Sequence, residues 1–197
     1  MHSTLSSSPR LTAGDSSFAS TGLGRAVAVV SATAFIAVCA HISVPLPFTP
    51  VPLTMQDLAV LLVGLVLGPM DGFAAVALYL AEGAAGLPVF NPQNMGGAAH
   101  LFGPTGGYLM AYPLVAAIAG WGARSIKLGS AFARALVGCL LASIVLFGFG
   151  ATWLAQYTHT GAAATFRMAV LPFIPGNMFK VTAASGIFAA LGRWRRN

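Results

Sequence analysis

The sequence predicts an all-α integral membrane protein with six transmembrane helices. Of its 197 residues, 57% are hydrophobic and only 7% are charged, whereas a soluble domain carries about 25% charged residues. The mean hydropathy is +0.81. A helix needs about 20 mostly apolar residues to cross a bilayer, and Gly, Pro and polar residues divide the chain into six apolar runs. These runs cover about 25–43, 53–68, 71–86, 104–122, 130–156 and 168–191.

Residues 25–197 are therefore predicted to form one membrane domain, preceded by a tail. Residues 1–24 are rich in Ser, Thr and Gly and show no apolar period, which is typical of a disordered segment. A secretory signal is the alternative, because Arg25 and an apolar stretch precede a possible cleavage site at 38–40. The stretch is long enough to span a bilayer and more spans follow it, so we expect a first transmembrane helix.

The basic residues predict the orientation, because cytoplasmic loops hold the excess of Lys and Arg. With six spans, Arg167 lies on one side of the membrane. The other side holds Arg10, Arg25, Arg124, Lys127, Arg134, Arg193, Arg195 and Arg196. Both termini are therefore predicted to be cytoplasmic.

Two segments that face outward in this topology are rich in helix breakers. Residues 44–56 contain four prolines, and residues 86–107 combine Gly and Pro without any charged residue. Proline is excluded from helix interiors and from central strands. Because irregular backbone at membrane depth is tolerated only where protein buries it or where it lines a cavity, these segments are predicted to form the rim of a binding site.

Polar residues in the last predicted span are the strongest candidates for that site. Lys180 lies midway along the span, and an ionisable residue at such a position indicates function by default. Snorkelling of the side chain toward the interface is the alternative. Asn177 lies three residues earlier, on the same helical face. The two side chains would suit a ligand with N–H and C=O groups or a negative charge.

The acidic residues receive different interpretations. Asp57 and Asp71 each lie in the first turn of a predicted helix, where a carboxylate stabilises the positive end of the helix dipole, and a structural role is favoured for both. Glu82 lies near the outer end of the third span. We expect it to be the acid available to pair with Lys180 or Arg167, either as a structural ion pair or as part of the site.

Small residues mark places of close approach. Gly106 and Gly107, in the segment GPTGGYL, would let the backbone come close to another helix or to a ligand. Ala28 and Ala32 in the first span form a small-xxx-small pair. Such pairs usually pack helices within one protein, and a docking face for another membrane subunit is the alternative.

The sequence offers little support for an enzyme. The four histidines are far apart, and the chain has no HExxH, GxSxG or GxxxxGK motif. Its four acidic residues leave no plausible acid/base pair. We therefore expect no catalytic residue, no metal site and no cofactor, and any transport by this chain would depend on ATP hydrolysis elsewhere.

Four segments, read in order, resemble the BioY family, the biotin-specific substrate-binding subunits of energy-coupling factor (ECF) transporters. The segments are PLPFTPVPLTMQDLAVLLVGLVLG, LYLAEGAAGLPVF, GPTGGYLMAYP and LPFIPGNMFK, and the resemblance extends from residue 25 to about 191. It implies an S-component-like fold of six membrane helices in a bacterial cytoplasmic membrane, with an outward-facing biotin pocket. It also implies a transmembrane coupling subunit and two cytoplasmic ATPases as partners, docked through the Ala28/Ala32 face.

The chemistry of biotin, together with this resemblance, assigns roles to residues. Biotin has a ureido ring with two N–H donors and one carbonyl, an apolar thiophane ring, and a carboxylate tail, and its buried polar atoms need partners. We expect Asn91, Asn177 and Lys180 at the polar groups and Phe90 and Tyr108 against the rings. Thr49 and Gln56 would close the pocket from the loop, with Gly106 and Gly107 allowing close approach.

Two positions depart from the family pattern. Asn177 stands where the family usually has an aspartate, and an uncompensated buried lysine would be expensive. Glu82 as a partner, a partly uncharged Lys180, and a ligand carboxylate are the alternatives for compensation. Pro104 stands where some members carry an arginine, so Arg167 becomes the candidate for the biotin carboxylate, although an interfacial anchor is favoured.

These departures keep other functions open. The ligand could be a biotin precursor such as dethiobiotin, or a related vitamin bound by the same architecture. A structural membrane protein without transport function is a further alternative.

Overall fold

The computed structural model describes residues 22–92 and 96–194. Residues 1–21 of the predicted tail, the terminal Arg195 and Arg196, and residues 93–95 of the second irregular segment lie outside these ranges. The predicted end of the tail at residue 24 is corrected, because the first helix already begins at Gly22. Within them the elements are α1 Gly22–His41, β1 Ser43–Val44, β2 Leu53–Thr54, α2 Gln56–Leu67, α3 Pro69–Ala84, α4 Ala98–Leu101, α5 Gly106–Ser125, α6 Ala131–Thr158, α7 Ala162–Ala169, a 3-10 turn Leu171–Phe173, and α8 Ile174–Trp194.

The six long helices correspond one to one to the six predicted spans, which confirms the all-α fold. By length and composition, α1 and α6 are each able to cross a membrane. Helix α2 is apolar but has only 12 residues, or about 18 Å at 1.5 Å per residue. Because the hydrocarbon core is about 30 Å thick, α2 by itself is shorter than a straight span.

That preceding segment is a hairpin built around the prolines, here called the proline hairpin (residues 43–54). Strands β1 and β2 pair antiparallel, with Ser43 opposite Thr54 and Val44 opposite Leu53. The second span was predicted to start at residue 53, and this start is corrected to Gln56, because Leu53 and Thr54 pair in the sheet.

Helix α5 is central and packs against α2, α3 and α6. A Cβ on Gly64 of α2 would collide with the backbone carbonyl of Ala116 in α5, and one on Gly122 would collide with the Gly138 backbone in α6. The helices therefore approach backbone to backbone, as small residues allow in membrane bundles.

Helix α1 packs against α2 and α3. Ala32 is 8% exposed and belongs to the core, and Ala28 is half-buried. In this structure the small-residue pair thus packs within the chain. Docking of a partner through this pair stays a prediction, and it would require α1 to move away from its neighbours.

One end of the bundle collects the basic residues and is here called the basic end. Arg25 at the start of α1 pairs with Asp71 in the first turn of α3. Arg124 near the end of α5 donates from Nη1 to the Leu65 carbonyl (3.1 Å) and from Nη2 to the Val66 carbonyl (3.3 Å) at the end of α2. The proline hairpin precedes α2 and lies at the opposite end.

The last predicted span is divided in the structure. Its predicted start at residue 168 is wrong, because α7 ends at Ala169 and α8 begins at Ile174. Pro172 lies at the start of the 3-10 turn, and Pro175 lies in the first turn of α8, where a missing N–H costs no helical hydrogen bond. Arg167 therefore lies on α7 and not on the last span.

Candidate functional site

A cavity opens at the hairpin end of the bundle. Its volume is about 60 Å³, counted as the space that the centre of a water molecule can reach, and the cavity is partly open at its mouth. The proline hairpin, the loop before α5, and helices α2, α5, α6 and α8 form its walls. The lining residues are Val51, Pro52, Leu53, Thr54, Gln56, Asp57, Asn91, His100, Thr105, Tyr108, Leu109, Tyr112, Leu146, Phe147, Phe173 and Lys180.

The two irregular segments meet at this cavity. Ser43 Oγ, at the base of the proline hairpin, donates to Asn91 Oδ1 at 3.3 Å. Met55 N donates to the Ile42 carbonyl at 3.0 Å and so closes the hairpin in front of α2. Thr49 is buried inside the hairpin, where its Oγ1 accepts from Val51 N at 3.3 Å, and it is not among the lining residues.

Lys180 is held in the cavity wall by three hydrogen bonds. Its Nζ donates to Asp57 Oδ1 at 2.7 Å, to Asp57 Oδ2 at 2.9 Å and to the Thr54 carbonyl at 2.6 Å. The lysine side chain is 6% exposed and the aspartate side chain 15%. The contacts join the middle of α8 to the start of α2 and to the proline hairpin, so the side chain does not snorkel to the membrane surface.

The partner of Lys180 differs from the predicted one. Glu82 was expected to supply the carboxylate, but its Oε1 accepts from Thr33 Oγ1 of α1 at 3.2 Å. Asp57 lies in the first turn of α2, as predicted. The purely structural role favoured for it is nevertheless incomplete, because the start of α2 faces α8 and brings the carboxylate to Lys180 and to the cavity.

Asn177 is 3% exposed and joins α8 to α6. Its Nδ2 donates to Ser143 Oγ at 3.0 Å, and Ser143 Oγ lies 3.2 Å from Asn177 Oδ1. Asn177 does not line the cavity in this structure. Its contact with a ligand stays a prediction that requires this amide–hydroxyl pair to open.

Gln56 is oriented by a chain of hydrogen bonds behind the cavity. Its Nε2 donates to Tyr79 Oη at 2.9 Å, and Tyr79 Oη donates to the Val89 carbonyl at 3.0 Å. Tyr79 is fully buried. This tyrosine had no signal in the sequence, because it lies within an apolar run as an ordinary core aromatic would.

Phe90 and His100 form an aromatic pair beside the cavity. Their ring centroids are 4.8 Å apart with planes at 28°, and Tyr79 meets Phe90 edge-on at 5.5 Å. Phe90 is buried against Gly83, where a Cβ would collide with its ring. His100 lines the cavity and Phe90 supports it from behind, so direct contact of Phe90 with a ligand stays a prediction.

Tyr108 lines the cavity, and its hydroxyl donates to the Ala169 carbonyl at the end of α7, at 2.6 Å. Gly106 and Gly107 serve helix packing in this structure. A Cβ on Gly106 would collide with the Leu101 carbonyl, and one on Gly107 would collide with Trp153.

Thr105 is a lining residue that the sequence analysis missed. Its Oγ1 is buried and has no hydrogen-bond partner among the described residues, and it does not cap α5, which begins just after it. A buried hydroxyl without a partner is costly, which makes this hydroxyl a candidate for a hydrogen bond to a ligand. Its position next to the Gly106–Gly107 pair was the signal that could have identified it.

The cavity thus combines an apolar wall with a compensated ion pair and several polar groups. Arg167 is exposed on α7 and does not line it. Among the described residues, no group of three or more His, Cys, Asp or Glu side chains is arranged to hold a metal ion. The arrangement suits reversible binding of a small molecule with both apolar and hydrogen-bonding parts.

Known proteins resemble this chain over most of its length. A model of the BioY family matches residues 11–197. The chain is 41% identical over 151 residues to a probable biotin transporter BioY of Pyrococcus horikoshii, covering 77% of this chain and 85% of that protein. It is 38% identical over 153 residues to the biotin transporter BioY of Thermotoga maritima, covering 78% and 86% respectively.

A solved structure shares the fold. The S-component for biotin from an ECF-type ABC transporter matches with a TM-score of 0.79 and 29% sequence identity, over 87% of this chain and 92% of that one. The family match over nearly the whole chain, the similar relatives and the shared fold lead to one conclusion. The chain belongs to the BioY family.

Proposed function

We propose that this chain is the biotin-binding S component of an ECF-type vitamin importer, and that it captures biotin in the cavity at the hairpin end. Membership of the BioY family supports a transport protein rather than an enzyme, in agreement with the sequence. The observation that carries the proposal is that the Asp57–Lys180 pair and the Thr105 hydroxyl, which has no hydrogen-bond partner among the described residues, meet on the wall of one cavity.

The walls match the two halves of biotin. Leu109, Leu146 and Phe147 offer an apolar surface to the thiophane ring and the alkyl tail. Gln56 and Asn91 carry amides that both donate and accept, as a ureido ring with two N–H groups and one carbonyl requires. We propose these amides, together with Tyr108 and Thr105, as the groups that contact the ligand, with Lys180 in the wall beside them.

The proline hairpin closes the cavity on the membrane-outer side in this proposal. Val51, Pro52 and Leu53 contribute directly to the wall. Proline restricts the unbound backbone, so less conformational entropy is lost when the loop covers a ligand. Residues of the hairpin thus act as a preordered rim.

The distribution of charge supports an orientation with both termini in the cytoplasm. Arg25, Arg124, Lys127 and Arg193 belong to helix ends or loops away from the cavity, and Arg167 lies on α7 near it. By the positive-inside rule the basic end is cytoplasmic, so the cavity opens outward. We propose that a transmembrane coupling subunit and two cytoplasmic ATPases supply the energy, with ATP used by those subunits alone and no cofactor in this chain.

Equilibrium binding tests the proposal. Radiolabelled biotin is titrated onto the purified full chain in detergent, with dethiobiotin, riboflavin and thiamine as competitors. We expect a Kd near 1 nM, or about −12 kcal/mol, and marked weakening in Lys180→Ala. Lys127→Ala, which removes a lysine outside the cavity, is the matched control. Absence of biotin binding by folded protein, or stronger binding of riboflavin or thiamine, would refute the proposed ligand.

A further inference from the structure

We propose that the Asp57 carboxylate is the acceptor for a ureido N–H of the ligand, and that Lys180 is a positioning residue that holds this carboxylate at the cavity. The inference rests on the proposed function, since it requires biotin in this cavity. It changes the assignment of roles in the buried ion pair: the acid contacts the ligand, and the lysine acts through the acid.

The donors of Lys180 are already used. An ammonium group has three N–H donors and no acceptor. The three short contacts of Nζ, to both Asp57 oxygens and to the Thr54 carbonyl, equal these donors in number. A ligand carbonyl or carboxylate would therefore have to break one of these bonds to reach the lysine.

The acceptors of Asp57 are not exhausted. A carboxylate offers about four lone-pair sites, and Lys180 occupies one on each oxygen. The Asp57 side chain keeps 15% exposure, against 6% for Lys180, and it lines the cavity. A largely buried carboxylate with unused acceptor capacity on a cavity wall favours a ligand that brings N–H donors.

Charge balance also orients the ligand. Because Asp57 and Lys180 neutralise each other, this wall of the cavity carries no net charge and does not attract the ligand's carboxylate. A neutral ring with N–H donors fits it better. The ureido ring then lies against α2 and α8, and the carboxylate tail points toward the mouth.

The alternative is that the pair only ties α2 to α8. A buried ion pair can often be replaced by neutral groups with little loss of stability. A variant that removes both charges together therefore separates the two roles. It leaves no unpaired buried charge, yet it lacks the charged acceptor, because an asparagine keeps only one neutral carbonyl oxygen.

The test compares two ligands across matched variants. Biotin and 2-iminobiotin, in which a positively charged guanidinium replaces the ureido group, are titrated onto the full chain in detergent. The variants are Asp57→Asn, Lys180→Met, the double variant, and Asp71→Asn, and thermal unfolding checks folding. Asp71→Asn makes the same chemical change at the basic end, and we expect it to bind both ligands as the wild type does.

We expect Asp57→Asn to weaken biotin by about 10- to 100-fold, the loss of one hydrogen bond to a charged acceptor, and to weaken 2-iminobiotin more. Lys180→Met leaves the carboxylate without its counter-charge, so it should shift preference toward 2-iminobiotin. The double variant should fold and remain weak for biotin. The altered charge of the wall can by itself shift ligand preference in the two single variants, so the double variant, in which the wall stays neutral, decides between the two roles.

Several results would overturn the inference. Wild-type biotin affinity in Asp57→Asn or in the double variant would leave Asp57 as a counter-ion only. If the variants do not fold, the wild type still decides. Affinity for 2-iminobiotin within about 100-fold of that for biotin supports a carboxylate facing the ring, and a larger loss overturns it, because a cation then faces the ring. If the wild type binds no biotin at all, the proposed function fails and this inference fails with it.

Discussion

Replacing Tyr79 by phenylalanine tests the hydrogen-bond chain that orients Gln56. The change removes one hydroxyl from a fully buried ring and keeps its shape. That hydroxyl accepts from Gln56 Nε2 at 2.9 Å and donates to the Val89 carbonyl at 3.0 Å. Two groups therefore lose a partner in a single substitution, and no cavity larger than one oxygen atom is created.

The magnitude follows from the group that is left unsatisfied. A buried donor without a partner costs about 1–3 kcal/mol, so we expect the free energy of unfolding to fall by about 2 kcal/mol. For a chain of this length 1 kcal/mol shifts the unfolding midpoint by about 2–4 °C, which gives a decrease of about 4–8 °C. Biotin affinity should also fall, because Gln56 loses its fixed orientation on the cavity wall.

Thermal unfolding in detergent and biotin titration measure the two effects. Tyr157→Phe removes the hydroxyl of a tyrosine that is 50% exposed on α6, and it should change neither quantity. A midpoint for Tyr79→Phe within 1 °C of the wild type would refute the reasoning. Equal decreases in both variants would show that the effect is not specific to this hydrogen-bond chain.

Two further substitutions give predictions of different sign. Thr105→Val removes a buried hydroxyl without a partner among the described residues, so thermal stability should be unchanged or higher while biotin binds about tenfold more weakly; unchanged affinity would remove Thr105 from the site. Arg124→Ala removes the hydrogen bonds to the end of α2 and should cost about 1–2 kcal/mol of unfolding free energy. Lys127→Ala, a nearby loss of charge, should cost less than about 0.5 kcal/mol, and equal costs would contradict this role.

The helices of the fold were accessible from the sequence because lipid imposes a simple pattern of long apolar runs and breakers. The remaining features depend on contacts between distant segments. Strands β1 and β2 have two residues each, which is too few to show a strand periodicity in the sequence. They form because the proline hairpin brings Ser43 opposite Thr54. The break between α7 and α8 involves two prolines: Pro172 lies in the 3-10 turn between the helices, and Pro175 lies in the first turn of α8. Their residue type alone does not show which of the two interrupts a helix and which begins one.

The candidate site could be predicted from the sequence only in part. Lys180 was predicted from its position inside an apolar span, whereas Gln56, Asn91 and Tyr108 were predicted from the family resemblance and the chemistry of biotin. All four line the cavity. Phe90 lies one layer behind it. Residue type alone does not distinguish a side chain that lines the cavity from one that packs behind it, because both groups consist of buried aromatic and polar side chains.

The counter-ion of Lys180 shows why the rest of the site could not be predicted from the sequence. An asparagine at position 177 suggested an uncompensated lysine, since 177 and 180 are neighbours on one helix face. The compensating carboxylate lies on another helix, 123 positions earlier in the chain. An acid on α8 would neutralise the lysine within one helix, whereas Asp57 neutralises it across the interface with α2 and next to the Thr54 carbonyl. The same ion pair therefore links the helix pair, the proline hairpin and the cavity wall, so changes at Asp57 should affect stability and ligand preference together.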